Sequence, residues 1–311
     1  MIHYLEHNSI DKQRWDACIS GSCNRRVYAF SWYLDIVSPG WDALAEEDYT
    51  SVFPLTHNRK WGVSYLYQPY FAQQLGLFSV KPVTAEYLGR FIAAVPRCYR
   101  FIEIQLNAMN EPGAETGSIT QRVNHELDIA PGYGEISGRF AQNTRRNIRK
   151  SKELAVTAGR DAGVDELIGM FSENFGRKEG KLQEKHYQVL RELIVYCQSH
   201  NLGYILGARD SEGELGAAAF FLFDGPHVYF LFAASSLHAR DNGAMFSLVD
   251  HFLSENGGKY KVLDFEGGND PNLGRFYKSF GAEEVYYPAL FINRLPAALN
   301  RLLYFYRRLR E

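Results

Sequence analysis

The side chains best suited to hold a charged ligand are concentrated in one short run of arginines and lysines. Residues 139–152 contain no acid and six cations, which are Arg139, Arg145, Arg146, Arg149, Lys150 and Lys152. Guanidinium groups hold phosphate oxygens with paired hydrogen bonds, and clustered positive charge attracts polyanions. The run therefore predicts a site for pyrophosphate, coenzyme A, tRNA or a phospholipid headgroup. The side chains that we expect to bind it are Arg145, Arg146, Arg149 and Lys150. The alternative is a solvated helix face whose acidic partners lie elsewhere in the fold.

A polar turn between a predicted strand and a predicted helix gives a second candidate anion site. It contains Arg240, Asn242 and Gly243, and it leads into a helix whose first backbone N–H groups lack intrahelical partners. Such donors, together with the helix dipole, bind anions. The alternative is an ordinary Asn-Gly helix start without a ligand.

Acidic residues follow a later apolar strand, in the segment 264–270. Glu266 is a candidate general base toward an attacking amine, and Asn269 is a candidate substrate contact. Asp264, Glu266 and Asp270 can instead be read as metal ligands. Two glycines interrupt that set and supply no oxygen side chain, so no metal is predicted.

Composition and missing motifs exclude several classes of protein. The chain has 34 Lys+Arg against 36 Asp+Glu, a formal net charge of -2, which argues against a generally basic protein that coats nucleic acid. The sequence contains no HExxH zinc motif, no GxSxG nucleophile motif and no P-loop. The N-terminus lacks a secretory pattern, the longest apolar run is too short to cross a membrane, and the four cysteines are scattered. We therefore expect a cytoplasmic protein.

The elements that must position these residues follow an alternating order. In the first part, helices are predicted at 11–18, 28–37 and 84–95, and strands at 51–56, 61–67, 101–106 and 122–129. Residues 57–60 are predicted to form the turn of a hairpin between the first two strands. In the second part, helices are predicted at 137–154, 164–175, 185–199, 243–254 and 272–280, and strands at 203–208, 215–223, 228–234, 261–265 and 283–291. The first part follows a shorter version of the same order, which indicates a duplicated fold with a boundary at Pro131-Gly132.

This order resembles the Gcn5-related N-acetyltransferase (GNAT) fold, in which a strand and two helices precede three consecutive strands and then alternating helix and strand. Residues 156–158 would supply the first strand. A basic helix leading into such a domain, behind a degenerate first copy, resembles the Fem-type peptidyltransferases and their GNAT-domain, BioF2-like bacterial relatives, and the matching segments span most of the chain. Three segments carry the resemblance: residues 68–76, the basic run 143–150 and residues 274–281.

The resemblance implies an α/β fold of two tandem GNAT-like domains. The first, at 1–130, would be degenerate, and the second, at 131–294, would begin with the basic helix. In the family, the tyrosine of a Y-x-x-x-G motif protonates the departing thiolate, which makes Tyr277 a candidate general acid with Lys278 beside it as an anion-binding residue. The alternative is a structural tyrosine. Arg240 and Gly243 match the family's pyrophosphate-binding turn, although Met245 replaces its final small residue.

The predicted function is transfer of an acyl or aminoacyl group from an activated donor to an amine by an N-acyltransferase. The donor would be acyl-CoA or aminoacyl-tRNA as a co-substrate, with no tightly bound cofactor. The acceptor would be a small molecule or a cell-wall or lipid precursor, contacted by Asn269, Gln68 and Tyr70. By family analogy, backbone N–H groups of the three consecutive strands would polarise the acyl carbonyl. The alternative is a catalytically silent GNAT-like module that binds nucleic acid or an anionic lipid surface.

The end of the chain, residues 295–311, reads as a basic amphipathic helix. Its apolar stripe and arginines would suit peripheral contact with an anionic membrane surface. The alternative is docking on the first domain, since a short helix gains most of its stability from packing.

Overall fold

The computed structural model describes residues 1–113, 116–179, 182–236 and 241–296. These residues form two compact units. One unit comprises Met1–Arg122 and the described chain from Tyr286 on, and the other comprises Val123–Val285. The chain therefore leaves the first unit before the predicted boundary at Pro131, and it comes back to that unit near its end. Within the described part of the chain, no helix is both long and apolar enough to cross a membrane.

The described residues form both strands and helices, in the chain order given by their numbers. The strands are β1 (Ile2–Leu5), β2 (Asp42–Glu46), β3 (Ser51–Leu55), β4 (His57–Lys60), β5 (Val63–Leu66), β6 (Phe78–Ser79), β7 (Tyr99–Gln105), β8 (Ser118–Asp128), β9 (Thr157–Gly159), β10 (Gly203–Arg209), β11 (Leu215–Asp224), β12 (His227–Ser235), β13 (Val262–Asp264) and β14 (Glu283–Asn293). The helices are α1 (Lys12–Gly21), α2 (Ser31–Val37), α3 (Ala85–Ala94), α4 (Tyr133–Gly138), α5 (Gln142–Glu153), α6 (Val164–Glu179), α7 (Glu184–Ser199), α8 (Ala244–Asn256) and α9 (Pro271–Lys278).

The first unit contains two groups of paired strands. In one, β1, β2, β3 and β6 pair in that order and are antiparallel throughout. In the other, β4 pairs with β5 antiparallel, β5 with β7 parallel, and β7 with β14 antiparallel. Thr84 caps α3 by accepting a hydrogen bond from Tyr87 N, and the buried face of that helix carries Leu88, Phe91 and Ile92.

The predicted hairpin of the first unit is wrong in its register. Residues 57–60 are not a turn but the strand β4, and the turn is Trp61-Gly62. Both turn residues have positive φ, at 50° and 78°, as the two central residues of a type I′ hairpin turn require. β3, which we predicted as one arm of this hairpin, pairs instead with β2, a strand that the sequence analysis missed.

The second unit is a mixed sheet with helices on both faces. Its strands run in the order β8, β13, β12, β11, β10, β9, and the β12–β13 pair is parallel. α6 and α7 pack on one face, and α8 packs on the other with α5 against it. The order of a short strand, two helices, three antiparallel strands and alternating helix and strand is the one predicted for residues 156–291, so the α/β GNAT-like prediction is confirmed.

The core on the α8 side is built from aromatic side chains. Phe221 of β11 and Phe252 of α8 are fully buried and stack with ring centroids 3.9 Å apart. Phe265, Tyr277 and Phe280 belong to the same core cluster. Burial of each large apolar side chain contributes about 1.5–3 kcal/mol, so this cluster holds α8, α9 and the sheet together.

The basic segment forms two helices rather than one. The prediction of a single helix at 137–154 is wrong, because α4 ends at Gly138 and α5 begins at Gln142. Between them Phe140 packs against Phe280 at 5.2 Å, and Ala141 N donates to Ser279 O at 2.9 Å. The break therefore exists because the connecting residues dock on the end of α9.

Candidate functional site

The sheet of the second unit divides where β12 and β13 separate. Their parallel ladder ends at the pair Tyr229–Asp264, and β13 ends there too. β12 continues to Ser235 along β11. The chain after β13 remains with β8, since Phe265 N donates to His125 O at 2.9 Å. The result is two arms with a gap between them, and such gaps at strand ends are where α/β folds bind ligands.

β12 carries a β-bulge in the arm that borders this gap. Phe220 pairs with Phe232 and Phe221 pairs with Phe230, so Leu231 has no opposite residue on β11. A bulge bends a strand and turns backbone groups out of the regular ladder. Backbone N–H groups turned out in this way can donate to the carbonyl oxygen of a ligand in the gap.

Glu266 lies in a turn, residues 265–270, which we call the Glu266 turn. The backbone of Glu266 has a φ of 59°, in the left-handed region, which is uncommon for a residue with a side chain. The fully buried Asp264 precedes it and accepts hydrogen bonds from Glu266 N and from Asn124 Nδ2, both at 2.8 Å. Asp264 therefore anchors the turn, and Glu266 projects from it as a half-buried carboxylate.

Tyr277 lies on α9 with its ring in the core. The ring stacks on Phe265 with centroids 4.5 Å apart, and the side chain is only 6% exposed. Burial, and then the carboxylates of Glu266 and Asp264, raise the pKa of the Tyr277 hydroxyl above its ordinary value. The hydroxyl therefore keeps its proton at neutral pH, which a general acid must do. The structural interpretation also holds for the ring, because it fills the core.

The fold requires a glycine at position 281, the glycine of the Y-x-x-x-G motif. Its φ is 94°, and a Cβ there would lie 3.2 Å from Cβ of Arg139. It therefore ends α9 in a left-handed conformation with little room for a side chain.

The sequence analysis missed His125, which contacts this site from β8. Its Nδ1 lies 2.9 Å from Gly267 O, and its ring centroid is 5.7 Å from that of Tyr277. The side chain is 1% exposed. No signal in the sequence indicated it, because most residues of β8 are polar and His125 does not stand out among them.

The basic helix α5 presents its cations to solvent. Thr144, Ile148 and Ser151 form its buried face, and the cations lie on the remaining surface. Arg145 donates to Gly138 O and Arg146 donates to Asn143 Oδ1. Among the described residues, no acid pairs with the four cations of the predicted binding set, which are Arg145, Arg146, Arg149 and Lys150. Arg139, outside α5, pairs with Glu135.

The start of α8 lies against α5. Asn242 Oδ1 accepts from Ala244 N at 3.0 Å, which closes a local turn just before the helix. Gly243 has a φ of 76°, and a Cβ there would lie 2.6 Å from Asn147 O. The close approach of the two helices accounts for this glycine. Arg240, the third predicted residue of this turn, lies outside the described residues, as do residues 297–311 of the predicted C-terminal helix.

Two further predicted site residues are held by protein groups. Lys278 forms an ion pair with Glu284, which compensates its charge. Oδ1 of Asn269 accepts a hydrogen bond from Val123 N at 3.3 Å. Asn269 therefore ties the Glu266 turn to β8.

Gln68 and Tyr70 belong to the first unit. The Gln68 amide donates to Ala72 O at 2.6 Å and accepts from Gln105 N at 2.9 Å, so it shapes its own loop. Tyr70 is 45% exposed. Among the described residues, no cluster of His, Cys, Asp and Glu is arranged to hold a metal ion.

Comparison with known proteins shows similarity in structure. No protein-family model matches the sequence. No curated protein matches it either. FemX superimposes with a TM-score of 0.66 at 14% identity, over 94% of this chain and 98% of FemX. L-PGS from Bacillus licheniformis gives a TM-score of 0.55 at 12% identity, over 96% of each chain.

A third match is the GCN5-related glucosamine N-acetyltransferase region of a fungal multi-domain GH3 beta-N-acetylglucosaminidase. It gives a TM-score of 0.50 at 11% identity, over 94% of this chain and 38% of that chain. The three matches share the α/β architecture that the order of elements predicts. The chain therefore has a GNAT-like α/β fold, and it is similar in structure to FemX over most of its length.

Proposed function

We propose that the protein is an N-acyltransferase that moves an acyl or aminoacyl group from an activated donor to an amine. The donor would be acyl-CoA or aminoacyl-tRNA, bound as a co-substrate. The acceptor would be a small molecule or a cell-wall or lipid precursor that carries the amine. A structurally similar protein, the GCN5-related glucosamine N-acetyltransferase region, supports this assignment. The geometry of the candidate site supports it independently.

The proposed reaction needs a base, an acid and a carbonyl-polarising group. The amine nitrogen attacks the acyl carbon, so a C–N bond forms while the C–S or C–O bond to the donor breaks. Glu266 would take the proton that the nitrogen loses, and Tyr277 would give a proton to the departing sulfur or oxygen. Backbone N–H groups at the β12 bulge would stabilise the charge on the carbonyl oxygen.

The observation that supports the proposal best is the separation of β12 from β13, with a bulge on one side and the Glu266 turn and Tyr277 on the other. β12 supplies the bulge at Leu231, the chain after β13 supplies Glu266, and α9 supplies Tyr277. Orientation of this kind accounts for much of the rate that an acyltransferase needs, because the chemistry is otherwise simple.

The four cations of the predicted binding set on α5 would bind the phosphates of the donor. These cations are exposed and have no acidic partner among the described residues, so a polyanionic donor would supply the missing counter-charge. Both candidate donors carry several phosphates, which suits a surface with separated cations.

Donor binding can be tested by thermal shift with coenzyme A and with total tRNA. We expect at least one of them to raise the melting temperature at saturating concentration, because a ligand that binds the folded state stabilises it. No shift with either ligand would overturn the transferase assignment.

The chemical role of the site can be tested with Tyr277→Phe. We expect lower turnover with donor affinity unchanged, because the ring still packs on Phe265 while the proton is lost. Tyr196→Phe, on α7, is the matched control and should keep full turnover. Unchanged turnover in Tyr277→Phe would remove the tyrosine from the mechanism. Donor binding without any turnover would support the silent polyanion-binding module instead.

A further inference from the structure

We infer that His125 is a positioning residue that fixes the Glu266 turn against α9. The inference rests on the proposed function for its catalytic meaning, whereas its structural part stands on contacts within the second unit. His125 touches the two elements that carry the candidate base and the candidate acid.

His125 holds the turn through both its backbone and its ring. Its carbonyl oxygen accepts from Phe265 N at 2.9 Å, and its Nδ1 lies 2.9 Å from Gly267 O. A carbonyl oxygen can only accept, so Nδ1 must carry the proton and donate it. These two hydrogen bonds bracket Glu266, one on the residue before it and one on the residue after it.

Glycines on two elements make room for the ring. A Cβ on Gly268, whose φ is 148°, would lie 2.1 Å from His125 Nδ1. A Cβ on Gly274, on α9, would lie 3.2 Å from Cε1 of the same ring. The glycines at 268 and 274 therefore exist to seat the imidazole, which explains part of the segment DFEGGND that the metal and base hypotheses left unexplained.

The ring holds the turn through Nδ1 alone. Nε2 is buried and has no hydrogen-bond partner among the described residues. The ring proton that contacts the turn is therefore the one on Nδ1, which donates to Gly267 O.

The consequence concerns where the carboxylate lies. Glu266 has a left-handed backbone, which costs energy unless the surroundings hold it. Two hydrogen bonds stabilise this conformation. His125 donates to Gly267 O, and Asp264 accepts from Glu266 N. Without the ring, the turn can relax and the carboxylate of Glu266 moves away from its reacting position.

The structural part can be tested without any substrate. Imidazole nitrogen NMR should show a proton on Nδ1, and amide hydrogen exchange in residues 266–270 should speed up in His125→Ala. His125→Asn should keep these amides protected, because an Asn amide can reach the Nδ1 position and donate to Gly267 O. His125→Gln should not, since its amide extends to the Nε2 position.

The catalytic part is tested by the same variants with a donor that supports turnover. We expect kcat to fall about 100-fold in His125→Ala, as a misplaced group can cause, with KM changed less than about threefold. His125→Asn should recover most of this loss and His125→Gln little of it.

The outcomes separate the two claims. Retention of turnover in His125→Gln but not in His125→Asn would make Nε2 the working atom and overturn the inference. Unchanged exchange in His125→Ala would overturn it as well. Faster exchange together with no turnover by the wild-type protein would uphold the positioning of the turn and refute the proposed function.

Discussion

A single carboxylate, Asp42, joins strands from across the first unit. Its Oδ2 accepts from Tyr4 Oη at 2.6 Å and from Tyr99 Oη at 2.8 Å, and Nε2 of His57 lies 3.2 Å from the same oxygen. Burial, and then the hydrogen bond to Asp42, raise the pKa of Tyr4 to about 12 and raise that of Tyr99 as well. At the scale of the residue, stability of this unit is therefore linked to the protons on two tyrosines.

This linkage predicts loss of stability at alkaline pH. Both tyrosines have a higher pKa in the folded state, so their contribution is complete below about pH 10 and is lost as pH rises through the folded values. Urea unfolding at pH 8, 10 and 11 should show the free energy of unfolding falling over this range. Tyr99→Phe should reduce the fall, whereas the control Tyr196→Phe should not. An equal fall in Tyr99→Phe and the wild type would contradict the linkage.

Gly268 gives a second prediction for a single residue. Gly268→Ala should destabilise the protein by about 1–3 kcal/mol, because the backbone is left-handed and the new methyl group meets His125. Gly169→Ala is the matched control, since nothing lies within 4 Å of its Cβ position on α6. That change should stabilise by about 0.5–1 kcal/mol, as Ala does inside a helix. Chemical denaturation measures both, and equal effects would refute the role of the ring.

The sequence analysis could propose Glu266 and Tyr277 as candidates because each belongs to a local pattern: a strand end and a spaced motif. His125 could not be found in this way, because its meaning comes from residues 267, 268 and 274, which are distant along the chain. A histidine in a strand carries no sign of the glycines that will surround it. The same holds for Asn124, whose partner is Asp264.

The helix α5 has one buried face and one exposed cationic face. The cationic face is the one that would bind the donor. Arg149→Ala/Lys150→Ala should weaken binding of coenzyme A or tRNA by at least about tenfold, since charge-assisted hydrogen bonds are lost. The remaining affinity should depend less on salt, because fewer phosphates are neutralised. Titration at two salt concentrations measures both effects.

The control for this experiment removes the same charge elsewhere. Lys259 and Lys261 follow the C-terminal end of α8, whereas α5 lies at its start, about 20 Å away for a helix of this length. Lys259→Ala/Lys261→Ala should therefore leave affinity unchanged. An equal loss in both double variants would mean that net charge, and not the α5 surface, governs binding.

The hairpin of β4 and β5 offers a prediction about an element. Trp61 has a positive φ, which suits Asn far better than a bulky aromatic residue. Trp61→Asn creates an Asn-Gly turn and should stabilise the protein by about 1 kcal/mol, because Asn tolerates the left-handed conformation better. Gly62→Ala, at the other positive-φ position, should destabilise it. Thermal unfolding compares the two, and loss of stability in Trp61→Asn would show that the indole contributes more by contact than it costs in strain.

The same hairpin shows why some elements were predicted and others were not. α3 follows from its Thr84 cap and its apolar face, which are local signals. The turn at Trp61-Gly62 contradicts local preference, and residues 57–60 looked like a turn because they are polar. The break between α4 and α5 depends on contacts with Ser279 and Phe280, so the residues at the break could not predict it.

At the scale of the whole molecule, the first unit is discontinuous in sequence. Its strand β7 lies between β5 and β14, and β14 comes from the end of the chain. Leu106 N also donates to Pro288 O at 2.7 Å. Local pattern predicts each of these strands, but it contains no information that β14 returns to a unit that the chain left at Arg122.

A truncation can test this discontinuity. A chain ending at Val285 should lose protection of β7 amides from hydrogen exchange, because its partner strand is missing, while β10, β11 and β12 remain protected. A chain ending at Pro296 keeps β14 and is the control, in which β7 should stay protected. Equal protection of β7 in the two chains would mean that β14 is dispensable for the first unit.

The pairing of β7 with β14 also sets an order for events during synthesis. The ribosome completes β7 long before β14, and at about 5–20 residues per second the interval is roughly 10 to 40 seconds. Throughout that interval one edge of β7 offers unpaired N–H and C=O groups, which invite association with other chains. The nascent protein is therefore most exposed to misassembly after β7 has emerged and before β14 arrives, and a chaperone that binds strand edges would act in that window.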